Sequence, residues 1–250
     1  MKRDLVSILR PAFRKIIPNF ILNIRSRSAE TKQHLKYSDL DIEEVFTRIY
    51  NCKDWGNDGS NYFSGTGSHS ESIVVPYINA VSDFLSSLEN KPIIVDLGSG
   101  DFNIGKKLLD FAKYYYACDI VSELQIHNSQ KFNFKNVEFL HLNAISDDLP
   151  NGDVVIIRQV FQHLNNENIN KVINKCYKFK YWIITEHLPN LDSYIPNKDM
   201  TNGCGVRVLY DSGVDLTKPP FNCGDYKRKI LCEVPEHDGV ISTALFEKTD

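Results

Sequence analysis

Lys91-Pro92-Ile93-Ile94-Val95-Asp96-Leu97-Gly98-Ser99-Gly100-Asp101-Phe102-Asn103-Ile104-Gly105 decides the fold. A short apolar run bounded by proline and glycine reads as a buried strand. Asp96 closes it. Gly98 and Gly100 then let the chain turn tightly and bring backbone N–H groups close to a ligand. A helix-like continuation starts at Ile104. Together these are the first strand and loop of a nucleotide-binding α/β domain.

Working outward, apolar runs and helical patterns alternate. Ser70 caps a predicted helix to about Leu88, before the quoted strand. After it come a helix over 104–113, a strand over Tyr114–Ile120 and a helix over 122–131. Strands over 137–142, 153–157 and 181–185 follow, the last two separated by a helix capped at Asn165 or Asn166. Strands over 228–234 and 240–248 form a hairpin across Pro235–Gly239. This predicts a Rossmann-like doubly wound α/β sheet, parallel through five strands and ending in an antiparallel hairpin, over residues 70–250. Residues 188–226 are an insert rich in Pro, Asn and Gly. Loops over a sheet's carboxyl edge carry selectivity, so Arg207, Tyr210 and Phe221 are candidate acceptor-binding residues.

Residues 1–69 read as an N-terminal basic helical arm and a lid loop. Residues 1–36 hold nine Lys/Arg against two acids, a net of +7, while the remaining residues carry −10. The acidic main body excludes a broad nucleic-acid surface. The basic amphipathic stretch 1–27 either packs as an arm on the domain or on a second copy in a homodimer, or lies on an anionic membrane. Leu40–Tyr50 has helical spacing. The loop over residues 55–69 is rich in Gly, Ser and Asn, yet it carries Trp55, Tyr62 and Phe63. It reads as a structured cover over the ligand.

Six scattered cysteines include no Cys-x-x-Cys pair. With no spanning run and no secretory run, they read as reduced thiols of a cytoplasmic protein, with peripheral inner-membrane contact through 1–27 as the variant. No spacing of carboxylates demands a metal.

Two nucleotide chemistries open this way. A dinucleotide fingerprint would need glycine at position 103, where Asn103 stands, and Asp101 would face a pyrophosphate. The run Asp96-x-Gly98-x-Gly100 instead resembles the first motif of the class I S-adenosylmethionine (SAM) methyltransferases, with Phe102 in place of the last glycine. The resemblance implies SAM as cofactor, with Asp96 near its cationic methionine end and Gly98, Ser99, Gly100 and Phe102 around it. Asp119, about 20 residues on, sits where an acid accepts from a ribose diol, and Ile120 adjoins it. The family further implies adenine contact at Asn143 and Ala144. Arg158, Gln159 and Ser68 complete the cofactor set.

A closer similarity covers Trp55-Gly56, Ser64-Gly65-Thr66-Gly67-Ser68, Asp96–Phe102, Ile157–Leu164, Thr185–Pro189 and Pro219-Pro220-Phe221. It resembles bacterial methyltransferases of cell-surface polysaccharide pathways, capsule and O-antigen among them. It implies methyl transfer to an oxygen of a polysaccharide precursor. A sugar hydroxyl needs a base, and His187, beside Glu186, then His163, are the candidates. A phosphoramidate or phosphate oxygen needs cations instead, and Arg158 and Arg207 are the candidates. A nucleotide-dependent oxidoreductase and a non-catalytic SAM-fold subunit are the competing readings.

Overall fold

A computed structural model describes residues 36–37, 39–190, 194–237 and 239–249. The arm read over 1–27 lies outside them.

Seven strands form one sheet in the order β3-β2-β1-β4-β5-β7-β6. They are β1 (Ile93–Leu97), β2 (Tyr114–Asp119), β3 (Val137–His141), β4 (Val154–Arg158), β5 (Tyr181–Pro189), β6 (Tyr226–Glu236) and β7 (Gly239–Lys248). β1 to β5 are parallel, and β7 runs antiparallel to both β5 and β6. This is the sheet and hairpin expected from the sequence. Every residue of β4 is buried, as a central parallel strand covered on both faces requires.

The pleat sorts side chains into two cores. Val95, Leu97, Val155, Ile157, Trp182 and Ile184 point to one, and Ile94, Val154, Ile156 and Ile183 to the other. Helices α1 (Ile42–Asn51), α3 (Ser122–Lys131) and α4 (Asn166–Cys176) cover the first face. Helix α2 (Glu71–Ser86) covers the second. α1 carries a reciprocal N-terminal cap, in which the Glu44 N–H donates to Asp41 and the Asp41 N–H donates to Glu44. Asn165 caps α4 by accepting from the Asn168 N–H.

One expectation is corrected. Residues 104–113 are two short 3₁₀ turns, Gly105–Lys107 and Leu109–Phe111, instead of a helix. Phe102, at φ +61°, drives its ring under Gly105, where a Cβ would stand 2.4 Å from Phe102 Cε2. That packing fixes the turns where a continuous helix was expected. Val45, Phe46, Ile49 and Tyr50 of α1 share the core of the sheet.

The chain runs outward from β1 to β3, then returns to lay β4 against the other side of β1. Such a reversal leaves a crevice at the carboxyl ends of β1 and β4, where open α/β sheets bind ligands.

Candidate active site

That crevice is a cavity of about 280 Å³. It follows the carboxyl edge from the end of β2, past the β1 and β4 loops, to β5 and the turn of the β6–β7 hairpin. Of the residues expected at the site, Gly98, Gly100, Asp119, Ile120, Ser68, Arg158, Gln159, His163 and His187 line it.

The glycine loop is closed from above by residues 64–68. Gly98 has φ +77° and Gly100 φ +56°. A Cβ at 98 would lie 2.4 Å from Val160 Cγ2, and one at 100 would lie 2.4 Å from Ser64 Oγ. The Ser64 N–H donates to Asp101 Oδ2 at 3.0 Å, and the Asp101 N–H donates to Ser64 Oγ at 2.9 Å. His69 Nε2 reaches the same carboxylate at 2.6 Å. Asp101, which argued against a pyrophosphate, is therefore the clasp between glycine loop and cover. Tyr50 adds its hydroxyl to Ser64 Oγ at 2.9 Å.

Asp119 ends β2 and is 7% exposed. Its Oδ2 accepts from the Gly100 N–H and its Oδ1 from the Val121 N–H, both at 3.0 Å. Two carboxylate oxygens offer about four acceptor positions, so capacity for a diol remains on the cavity side. Burial raises its pKa, opposed by those N–H groups.

Arg158 ends β4. Its Nη1 donates to Ser68 Oγ at 3.2 Å and its Nη2 to the Gly67 carbonyl at 2.6 Å. Its guanidinium lies 4.8 Å from the centre of the Tyr77 ring, so it ties the cover to the sheet. Gln159 follows at φ +56°, a left-handed conformation that costs energy and gathers at functional sites.

The two histidines differ. His163 is buried. Its Nδ1–H donates to the Gly205 carbonyl at 3.1 Å, and its Nε2 accepts from the Gln162 side-chain N–H at 3.3 Å. Burial pushes it down to about 4, which removes it as a base at neutral pH. His187, half-buried at the end of β5, donates from Nε2 to the Glu236 carbonyl at 3.1 Å. In the neutral ring, Nδ1 then holds the lone pair.

The remaining expected residues are placed elsewhere. Asp96 lies below the loop, accepts from the Tyr115 hydroxyl at 2.8 Å, and is raised to about 7 by burial. Ser99 accepts from Gln125. Phe102 is enclosed by Tyr115, Phe132 and Phe139. Asn143 and Ala144 follow edge strand β3, beside β2, and do not line the cavity. The Asn143 side chain accepts from the Ile145 N–H, and the Ala144 carbonyl accepts from Lys175. Glu186 caps the turn after β4 by accepting from the Phe161 and Gln162 N–H groups, and burial pushes it up to about 8. Arg207, 1% exposed, spends its fork on the Lys198, Phe161 and Leu164 carbonyls and on Asn166 Oδ1. Tyr210 lies beneath Lys198 Nζ, and Phe221 belongs to the core.

Gln162, Cys204, Val206, Glu236, His237 and Ile241 also line the cavity and were not read from the sequence. A signal for Glu236 and His237 existed. A strand antiparallel to β5 must start at β5's carboxyl end, which brings the β6–β7 turn to the site. Among the described residues, no group of three His, Cys, Asp or Glu side chains is placed to hold a metal ion.

No family model matches the chain, and no curated protein matches it. Solved structures do. The N-methyltransferase NodS from Bradyrhizobium japonicum WM9, in complex with S-adenosyl-L-homocysteine, matches with a TM-score of 0.61 at 10% identity, over 82% of this chain and 100% of that one. Magnesium protoporphyrin IX methyltransferase from Synechocystis PCC 6803, with bound SAM, matches with a TM-score of 0.55 at 14% identity, over 84% and 98%. The fold is the class I methyltransferase fold. Human N-acetylserotonin methyltransferase in complex with SAM has it as well, with a TM-score of 0.51 at 16% identity; this chain spans 63% of that longer protein. In this methyltransferase fold, the β1 glycine loop and Asp119 form one end of the cavity, and His187 and the hairpin turn form the other.

Proposed function

We propose that this chain is a SAM-dependent methyltransferase, and that it methylates an oxygen of a surface-polysaccharide precursor. The observation that supports methyl transfer is that one cavity joins the glycine loop and Asp119 to His187. The residues fit the cofactor. The loop is a backbone cradle that a Cβ would fill, and Asp119 keeps acceptor capacity for a diol. When bound, SAM supplies an activated methyl group on a sulfonium. The chain's own part is to hold and orient. Gly98, Gly100 and Asp119 hold one end, and the 64–68 cover excludes water. His187, fixed through Nε2 by Glu236, takes the hydroxyl proton on Nδ1. The acceptor class follows from the similarity of the Ile157–Leu164 and Thr185–Pro189 segments to polysaccharide methyltransferases.

Calorimetry with SAM and with NADH tests the cofactor, and formation of S-adenosylhomocysteine tests turnover. Binding of NADH in place of SAM would establish the oxidoreductase reading. SAM binding without turnover on any hydroxyl acceptor would make the chain a non-catalytic partner. His187→Ala should keep SAM affinity and lose about 10²–10⁴-fold in turnover, with partial rescue by added imidazole.

A further inference from the structure

Among the described residues lining the cavity, three side-chain polar atoms are buried without a partner: Arg158 Nε, Trp55 Nε1 and Gln162 Oε1. Trp55 Nε1 and Gln162 Oε1 are both buried and make no hydrogen bond. Both residues line the cavity. His163 holds them together. Its ring lies 5.2 Å from that of Trp55, and its Nε2 accepts from the Gln162 amide at 3.3 Å. Because Nδ1 gives its proton to the Gly205 carbonyl, Nε2 is an acceptor. That fixes the Gln162 amide with nitrogen toward His163 and oxygen away from it. The Trp55 ring is steadied in turn by Tyr50 and Phe46, at 5.1 and 6.1 Å. A buried polar atom left unpaired is costly, and here one donor and one acceptor stand around a single neutral ring.

The electrostatics of this end are equally specific. Trp55, Gln162 and neutral His163 carry no charge at pH 7. Among the described residues lining the cavity, Arg158 is the one arginine or lysine. Its Nη1 and Nη2 are committed to Ser68 and Gly67, and its Nε is buried without a partner while the guanidinium lies on the Tyr77 ring. Arg207, the other cation expected to meet an anionic acceptor, is enclosed among carbonyls. An anion at Trp55 and Gln162 would lose water and find both terminal nitrogens of Arg158 already committed.

We propose that Trp55 Nε1 and Gln162 Oε1 form the acceptor subsite, and that it takes an uncharged hydroxyl or amide group, which accepts from Trp55 and donates to Gln162, in preference to a phosphoryl oxygen. The subsite's role as the acceptor's rests on the methyl-transfer reading; its preference for uncharged groups does not.

Saturation-transfer NMR on the full chain tests the subsite without turnover. The probes are N-acetylglucosamine, which carries both groups, and N-acetylglucosamine 1-phosphate. Calorimetry with S-adenosylhomocysteine on the same samples tests the cofactor reading separately. N-acetylglucosamine should bind. Trp55→Phe, which keeps an aromatic ring and removes the donor, and Gln162→Leu should each weaken it at least tenfold. Thermal melts of both variants show whether the fold is retained. A phosphorylated probe that binds tenfold tighter than the neutral one overturns the proposal. So does absence of N-acetylglucosamine binding, or unaltered binding in a folded Trp55→Phe protein. Failure of S-adenosylhomocysteine to bind, with the sugar effects intact, removes the cofactor reading and leaves the subsite standing.

Discussion

Replacing Asp119 by alanine should damage both the fold and the cofactor end of the site. Each oxygen of this carboxylate holds one backbone N–H at 3.0 Å, that of Gly100 or that of Val121. Alanine would leave two N–H groups unpaired beside a cavity. A buried donor without a partner costs about 1–3 kcal/mol. Water entering from the cavity returns part of that, so a net loss of about 2–4 kcal/mol is expected. For a chain of this size each kcal/mol lowers Tm by about 2–4 °C. Affinity for SAM should fall at least tenfold, since a charged acceptor is worth about 1.5–3 kcal/mol and about 1.4 kcal/mol is already tenfold. Urea unfolding followed by circular dichroism gives the first quantity and calorimetry the second. Asp119→Asn should also lose stability, because its NH₂ must face one of the two backbone donors. An Asp119→Ala protein within about 0.5 kcal/mol of the wild type would refute the anchoring role. Unchanged SAM affinity would refute the ribose role.

Four further outcomes are expected. Arg207→Met should lower stability by about 3–5 kcal/mol, because it leaves three buried carbonyls and Asn166 Oδ1 without their donor; a urea titration checks this, and a folded variant whose only defect is a higher acceptor KM would contradict it. His163 has a lower pKa folded, about 4, than its ordinary 6.5. Its contribution is therefore fully present above pH 6.5 and lost as pH falls toward 4, by up to about 3 kcal/mol, and His163→Gln should flatten that acid limb in unfolding curves at pH 7 and 4.5. Gly98→Ala, at φ +77° and 2.4 Å from Val160 Cγ2, should cost about 1–3 kcal/mol and weaken SAM binding in calorimetry. Deleting residues 1–27 should leave SAM affinity unchanged, and any co-sedimentation of the intact chain with anionic vesicles should vanish with it and weaken with salt.

Local chemistry carries its meaning in a sequence, and several elements here could be read that way. The all-apolar β4 run, the glycines after Asp96 and the acid at the end of β2 each follow from strand periodicity and backbone freedom. So does the antiparallel hairpin. The cover was legible because Trp55 and Tyr62 are out of place in a free loop.

The partners of the long polar side chains were not legible, because they depend on which distant carbonyls fold next to them. Arg207 reads as an anion binder in sequence; in three dimensions it is the internal clamp of the insert, since no water reaches its fork. His163 and His187 look alike on paper. Burial and the Gly205 carbonyl silence the first, while the hairpin turn positions the second. Phe102 stands where a cofactor glycine was expected, and a left-handed φ sends it into the aromatic core instead. The sequence alone determined which segments are strands and that a ligand would sit beyond their carboxyl ends, because apolar patterning marks the strands and open α/β sheets bind there. Only tertiary packing decided which polar groups are already satisfied and which, like Trp55 Nε1 and Gln162 Oε1, still want a ligand.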